Sequence, residues 1–152
     1  MLLAIDPGNV TGFALFEGKD LVTCGVLTKD QAKSRVFDNV DTLVIERPKI
    51  YPGARQEVPP DDLITLAILV GEIKALYRLS GVETEEVLPY AWKGQLPKDI
   101  SHKRIKKCLN MKENSLVESV RVSKSNKHNM LDAVGIGLWR LGRRYMGSGR
   151  SA

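Results

Sequence analysis

Apolar and polar positions in the first third of the chain come in short blocks separated by turn formers. Residues 2–6 and 11–17 read as strands joined by Pro7-Gly8-Asn9, and Gly18-Lys19-Asp20 leads into a third block at 21–27. That spacing predicts a three-stranded antiparallel meander. Ala32, Val36 and Val40 recur every four residues and predict a short helix over 30–40. Residues 42–45 form a brief apolar run of the kind found in a strand buried on both faces.

The middle of the chain changes period. Residues 49–60 read as a proline-rich loop, and Pro59-Pro60-Asp61-Asp62 supplies a helix start with acidic residues in the first turn. The helix predicted over 61–79 stops at Ser80-Gly81. It carries two apolar stripes, Leu63, Leu66, Val70, Ile73 and Tyr77 on one face and Ile64, Ile68, Gly71 and Ala75 beside it. One stripe suffices to pack a helix on a sheet, so the second is a candidate interface with another subunit. Residues 82–88 read as a weak strand, 89–100 as a loop, and 102–109 as a basic helix. Residues 117–122 fit either a strand or a helix, and a long helix is expected from Asn129 to about Arg144. Helices alternating with strands after a meander indicate a mixed α/β sheet. The expectation is one domain over 1–146 followed by a flexible tail over 147–152.

Composition narrows the class. The chain has 152 residues, 43% hydrophobic and 27% charged, which suits an ordinary globular domain with its own core. No apolar run approaches the roughly 20 residues needed to span a bilayer, and the start lacks a signal peptide's basic region and cleavage site. Cys24 and Cys108 lie far apart and form no metal-binding pair, which suits reduced thiols in a cytoplasmic setting, bacterial or phage-infected. Neither a membrane partner nor a small-molecule cofactor is expected. The net charge is +5, and the positive residues concentrate after Lys93. That bias suits a polyanionic partner, or simply solvated helix faces.

The candidate chemistry lies in three carboxylates on apolar elements. Asp6 and Glu46 each close a short apolar strand, and a proline follows each within two residues. On adjacent parallel strands, about 4.8 Å apart, both would emerge at one sheet end and repel unless a cation sat between them. Oxygen-only ligands suit Mg²⁺, with Mn²⁺ able to substitute. Asp132 lies in a helical stretch with small residues Ala133, Gly135 and Gly137, which would let the helix approach the sheet. Each glycine there costs about 1 kcal/mol against alanine. With Asn129 as N-cap, Asp132 also fits a plain capping role. His128 and Asn129 lie four and three residues before it, so either could share its face. Two acids from strands and one from a helix suit two-metal phosphoryl transfer, with two ions about 4 Å apart activating a water and stabilising the leaving oxygen.

In order along the chain, Ile5-Asp6-Pro7-Gly8 with Thr11-Gly12, then Val44-Ile45-Glu46, then Leu69-Val70-Gly71, then Asp132-Ala133, the sequence resembles RuvC-type Holliday junction resolvases of the ribonuclease H-like superfamily. The short length and spare loops resemble the phage-encoded branch. The resemblance implies a ribonuclease H-like mixed five-stranded sheet, three antiparallel strands then parallel strands, flanked by helices. It implies a homodimer that binds a four-way DNA junction and cuts opposing strands with two Mg²⁺ per site, leaving 5′-phosphate and 3′-hydroxyl ends. Asp6, Glu46 and Asp132 become metal ligands and catalytic residues. The family's fourth ligand stands three residues before the last aspartate, where this chain has Asn129; His128, one residue earlier, is the preferred substitute as ligand or proton carrier.

By the same resemblance Tyr51 stacks at the junction centre, and such stacking is worth about 1–3 kcal/mol per base. Lys93, Lys98, Lys103, Arg104 and Lys127 are candidate DNA contacts, and Ile64, Ile68, Gly71 and Ala75 the candidate dimer face. A ribonuclease H-type or branched-DNA nuclease of the same fold, and a non-catalytic nucleic-acid-binding module, are the alternatives. An actin-like ATPase is excluded, because that fold needs two such domains.

Overall fold

In the computed structural model, which describes residues 1–52 and 58–143, the chain builds five strands and six helices from these residues. Leu2–Asp6 (β1), Val10–Glu17 (β2) and Asp20–Thr28 (β3) form the expected antiparallel meander. Thr42–Glu46 (β4) and Glu83–Val87 (β5) add in parallel, giving the sheet order β3-β2-β1-β4-β5. The helices are Lys29–Ser34 (α1), Pro60–Leu79 (α2), Pro89–Lys93 (α3), Lys98–Cys108 (α4), Met111–Ser119 (α5) and Lys124–Arg140 (α6). The expected tail over 147–152 and part of the loop after β4 lie outside the described residues.

Strand period 2 sorts the core into two layers. Leu3, Ile5, Phe13, Leu15, Leu43 and Ile45 face α2, where Leu69, Val70, Ile73 and Tyr77 cover them. Ala4, Ala14, Phe16 and Val44 face the other way, under α6. Ala4 and Ala14 keep the middle of that second face low, and α6 comes down onto it.

The closest approach is at Gly12, where an added Cβ would lie 1.9 Å from the Asn129 carbonyl oxygen. Gly137 sits over the Phe16 ring, which its Cβ would meet at 2.1 Å. Gly135, expected to face the sheet, instead accommodates Trp92 and Ile105 from α3 and α4. Backbone cannot yield as a side-chain tip can, so Gly12→Ala is expected to lower unfolding stability by about 3 kcal/mol, the upper end of overpacking effects. Denaturant unfolding checks this, and a loss below about 0.5 kcal/mol would show that α6 yields readily.

Four boundaries differ from the sequence expectation, each for a local reason. The helix expected over 30–40 stops at Ser34: Thr28 and Gln31 form a capping box that starts it, and Arg35 is already extended. The expected loop at 89–100 holds α3, and α4 begins at Lys98; Pro89 and Pro97 start these helices. The ambiguous stretch at 117–122 supplies the last turn of α5 and a short extended link. The long helix begins at Lys124, because Ser123 caps it through Asn126 N–H. Asp132 therefore lies mid-helix, and the capping role is excluded.

Candidate active site

Strand parity decides where the acids point. Asp6 shares its side of the sheet with Ala4, and Glu46 shares its side with Val44, so both face α6. Ile5 pairs with Ile45 across the parallel β1–β4 ladder, so Asp6 and Glu46, each one residue further on, end neighbouring strands at the same level. Asp132 comes down from α6 onto the same end. The strands end there in turns, and at β1 the Thr11 hydroxyl closes the turn by donating to Gly8 O at 3.1 Å.

The three charges act on one another. Burial first, then the charges of Glu46 and Asp132, hold the Asp6 carboxyl well above the usual carboxylate range, against the pull of Lys93 and Lys98. Burial likewise raises Glu46; Lys93 and a hydrogen bond from Trp92 recover only part of the rise, and Asp132 adds to it. Trp92 is buried, and its Nε1–H donates to Glu46 Oε2 at 2.5 Å. Lys93 places its ammonium 5.1 Å from the Trp92 ring centroid.

Asp132 is 6% exposed and has a partner that sequence reasoning did not single out. His102, on α4, is 7% exposed, and its Nε2–H donates to Asp132 Oδ1 at 2.8 Å. Lys98, one turn earlier on α4, places Nζ 3.9 Å from Asp132 Oδ2. The only sequence signal for His102 is its place three residues before Ile105, on the one apolar edge of an otherwise basic helix. His128 lies one turn before Asp132 on α6 with its ring 5.0 Å from that of His102, and burial, His102 and Lys98 lower its pKa. Asn129 points its backbone carbonyl at Gly12.

The other expected residues divide. Lys93 and Lys98 are close enough to the acids to bear on their charge. Lys103 is exposed and Arg104 half-buried, both on α4. Lys127 is bound to Glu118 at 2.9 Å, which Lys106 shares at 3.2 Å. Tyr51 is half-buried beneath the Lys49 ammonium, 5.7 Å from its ring centroid. It lines a groove of about 630 Å³ together with Glu46, Tyr90 and Lys93. Ile64 and Ile68 are 59% and 56% exposed, and Gly71 and Ala75 are exposed beside them on α2.

Whether this site suits a divalent cation can be judged from its donors. Among the described residues no three His, Cys, Asp or Glu side chains are gathered into a ready-made metal cage. The donor chemistry nonetheless fits. Three carboxylates share one sheet end, and two of them are held above their usual range by burial and mutual repulsion. A hard cation offsets that arrangement.

No protein-family model matches the chain, and no curated protein matches it in sequence. Solved structures do. RuvC of Thermus thermophilus is similar at TM-score 0.57 and 19% identity, over 93% of this chain and 96% of that one. The T. thermophilus RuvC in complex with a Holliday junction substrate is similar at TM-score 0.56 and 16% identity, over the same shares. The fowlpox virus resolvase, in complex with substrate Holliday junction DNA, gives 0.59 and 13% over 93% of this chain and 99% of that one. The fold is the ribonuclease H-like one of the RuvC structures, a mixed five-stranded sheet flanked by helices. No helix among the described residues is long and apolar enough to cross a membrane.

Proposed function

We propose that the chain is a metal-dependent endonuclease that resolves four-way DNA junctions as a homodimer. Each subunit would cut one of two opposing strands, leaving 5′-phosphate and 3′-hydroxyl ends. The observation that carries this reading is the convergence of Asp6, Glu46 and Asp132 at one sheet end with Lys93 and Lys98 beside them. Similar folds solved with Holliday junction DNA favour a branched substrate over a linear one.

Asp6, Glu46 and Asp132 would hold Mg²⁺, with His128, or Asn129 in its place, completing the set. Bound there, the metal would activate water and neutralise charge on the phosphate. Trp92 fixes Glu46 in rotation and keeps one of its oxygens occupied. Lys93 and Lys98, which offset the acids' charge, would turn to the DNA backbone as substrate enters. Lys103, Arg104 and Lys127 would add phosphate contacts along α4 and the start of α6. Tyr51 would stack on a base at the opened junction, and the exposed Ile64, Ile68, Gly71 and Ala75 face would meet its copy across a two-fold axis.

The test is cleavage of a mobile synthetic four-way junction, a linear duplex and an RNA–DNA hybrid, each with and without Mg²⁺. Paired cuts in the junction, dependent on Mg²⁺, are expected at rates at least ten times those on duplex. Cleavage of the hybrid alone would replace this reading with a ribonuclease H activity. Binding without cleavage under all conditions would leave a nucleic-acid-binding module.

A further inference from the structure

On the reading that Asp6, Glu46 and Asp132 bind a divalent cation, we infer that His102 is the positioning residue of Asp132 and assigns its two oxygens different tasks. Oδ1 is fixed by the imidazole, and Oδ2 is the oxygen offered to the metal.

The two oxygens meet unlike neighbours. Oδ1 accepts from His102 Nε2–H at 2.8 Å, and both side chains are almost wholly buried. His102 has little room to move: Ser101 and Ile105 beside it on α4 are buried, and the His128 ring stands 5.0 Å away. Among the described residues the charged partner of Oδ2 is the Lys98 ammonium, at 3.9 Å, on a side chain that is 55% exposed. That distance is too long for a hydrogen bond, and a long exposed side chain leaves readily.

One turn of α4 therefore locks one oxygen and covers the other with a mobile charge. A carboxylate held this way presents a single oxygen in a fixed direction. Ligand carboxylates in metal sites are commonly hydrogen-bonded by an outer partner whose loss weakens metal binding 10–100-fold. His102 comes from a different helix than Asp132, so it also ties the orientation of the carboxylate to the packing of α4 on α6.

The experiment uses Mn²⁺ as the probe, titrated into the metal-free full chain and followed by electron paramagnetic resonance or calorimetry. His102→Leu, which keeps bulk and loses the donor, is expected to weaken Mn²⁺ binding about 10–100-fold. His102→Gln, whose amide N–H can reach Oδ1, is expected to return to within about threefold of the unsubstituted protein, which a purely structural role would not require. If His102→Leu does not fold, His102→Asn takes its place, since its shorter amide cannot span the gap. Unchanged Mn²⁺ affinity in the donor-less variant overturns the inference, and so does equal weakening in His102→Gln when that variant melts normally. Failure of the unsubstituted protein to bind Mn²⁺ sinks the metal-site reading itself, which separates the two failures.

Discussion

Asp6→Asn is expected to reduce Mg²⁺-dependent junction cleavage by about 10³-fold while raising the melting temperature of the metal-free protein. The first effect follows from the proposed ligand set: losing a charged ligand would forfeit several kcal/mol of transition-state stabilisation, and each 1.4 kcal/mol is tenfold. The second follows from the surroundings of Asp6. Its carboxyl lies beside Glu46 and Asp132, and burial with those two charges disfavours its ionised form. Folding must hold that charge in place without a cation, so an uncharged isostere removes a strain that the fold otherwise carries. Mg²⁺ should then raise the melting point of the unsubstituted protein and leave the variant nearly unmoved, because a ligand stabilises only the state that binds it. Single-turnover cleavage and thermal melting with and without Mg²⁺ read both effects. Retained cleavage would remove Asp6 from the metal site. A variant less stable than its parent would mean that Asp6 serves the fold instead.

Glu46 is steadied by Trp92, Asp132 by His102, and Asp6 has the two acids as its strongest charged neighbours. Two of the three carboxylates thus lean on buried rings carried by α3 and α4. These helices arise from a stretch whose sequence reads mostly as loop and basic surface. Their contribution is to aim side chains from the strand ends and α6.

That division also separates what was legible in the sequence from what was not. Asp6 and Glu46 could be read because a charge closing an apolar strand before a proline is a local signal, and parity then fixes its side. The meander and the parallel β4 follow from the same short-range patterns. Asp132 was visible as an acid among apolar residues, but its depth in the helix was not. Asn129 and Ser123 are both good caps; Ser123 caps the helix, and Asn129 lies inside it with its backbone packed on Gly12. His102 was out of reach because its partner lies 30 residues away, and its place on the apolar edge of α4 with Ile105 says nothing of a carboxylate opposite. Helix period alone separates the exposed Ile64 and Ile68 from the buried Leu63, Val70 and Ile73.

Glu113 was invisible for a similar reason, and removing it should cost more stability than any other single change considered for this chain. Its carboxylate is 2% exposed and accepts from Arg143 through both oxygens, at 2.7 and 2.9 Å. Leu21 N–H adds a bond to Oε1 at 2.8 Å, and Asn110 N–H one to Oε2 at 2.9 Å. Arg143 in turn donates to the carbonyls of Lys19 and Cys108, at 3.0 and 2.6 Å. One pair thus joins the β2–β3 turn, the end of α4, the start of α5 and the segment after α6. Glu113→Ala leaves the part-buried guanidinium without its counter-ion and the Leu21 and Asn110 N–H groups without their acceptor, so a loss of about 3–5 kcal/mol in denaturant unfolding at pH 7 is expected. The double change Glu113→Leu with Arg143→Met should lose less than the sum of the singles. Acid should expose the same pair. Burial works to raise the Glu113 carboxyl, but the hydrogen bonds from Arg143, Leu21 and Asn110 outweigh it and leave it below its ordinary value of 4.5. For an acid shifted down, the stabilisation is present in full above that value and is lost as pH falls through the lower folded one. Unfolding curves taken below pH 4.5 should therefore converge for the parent and Glu113→Ala. Curves that stay equally far apart down to strong acid would place the stabilisation in the packing of this corner and not in its charge.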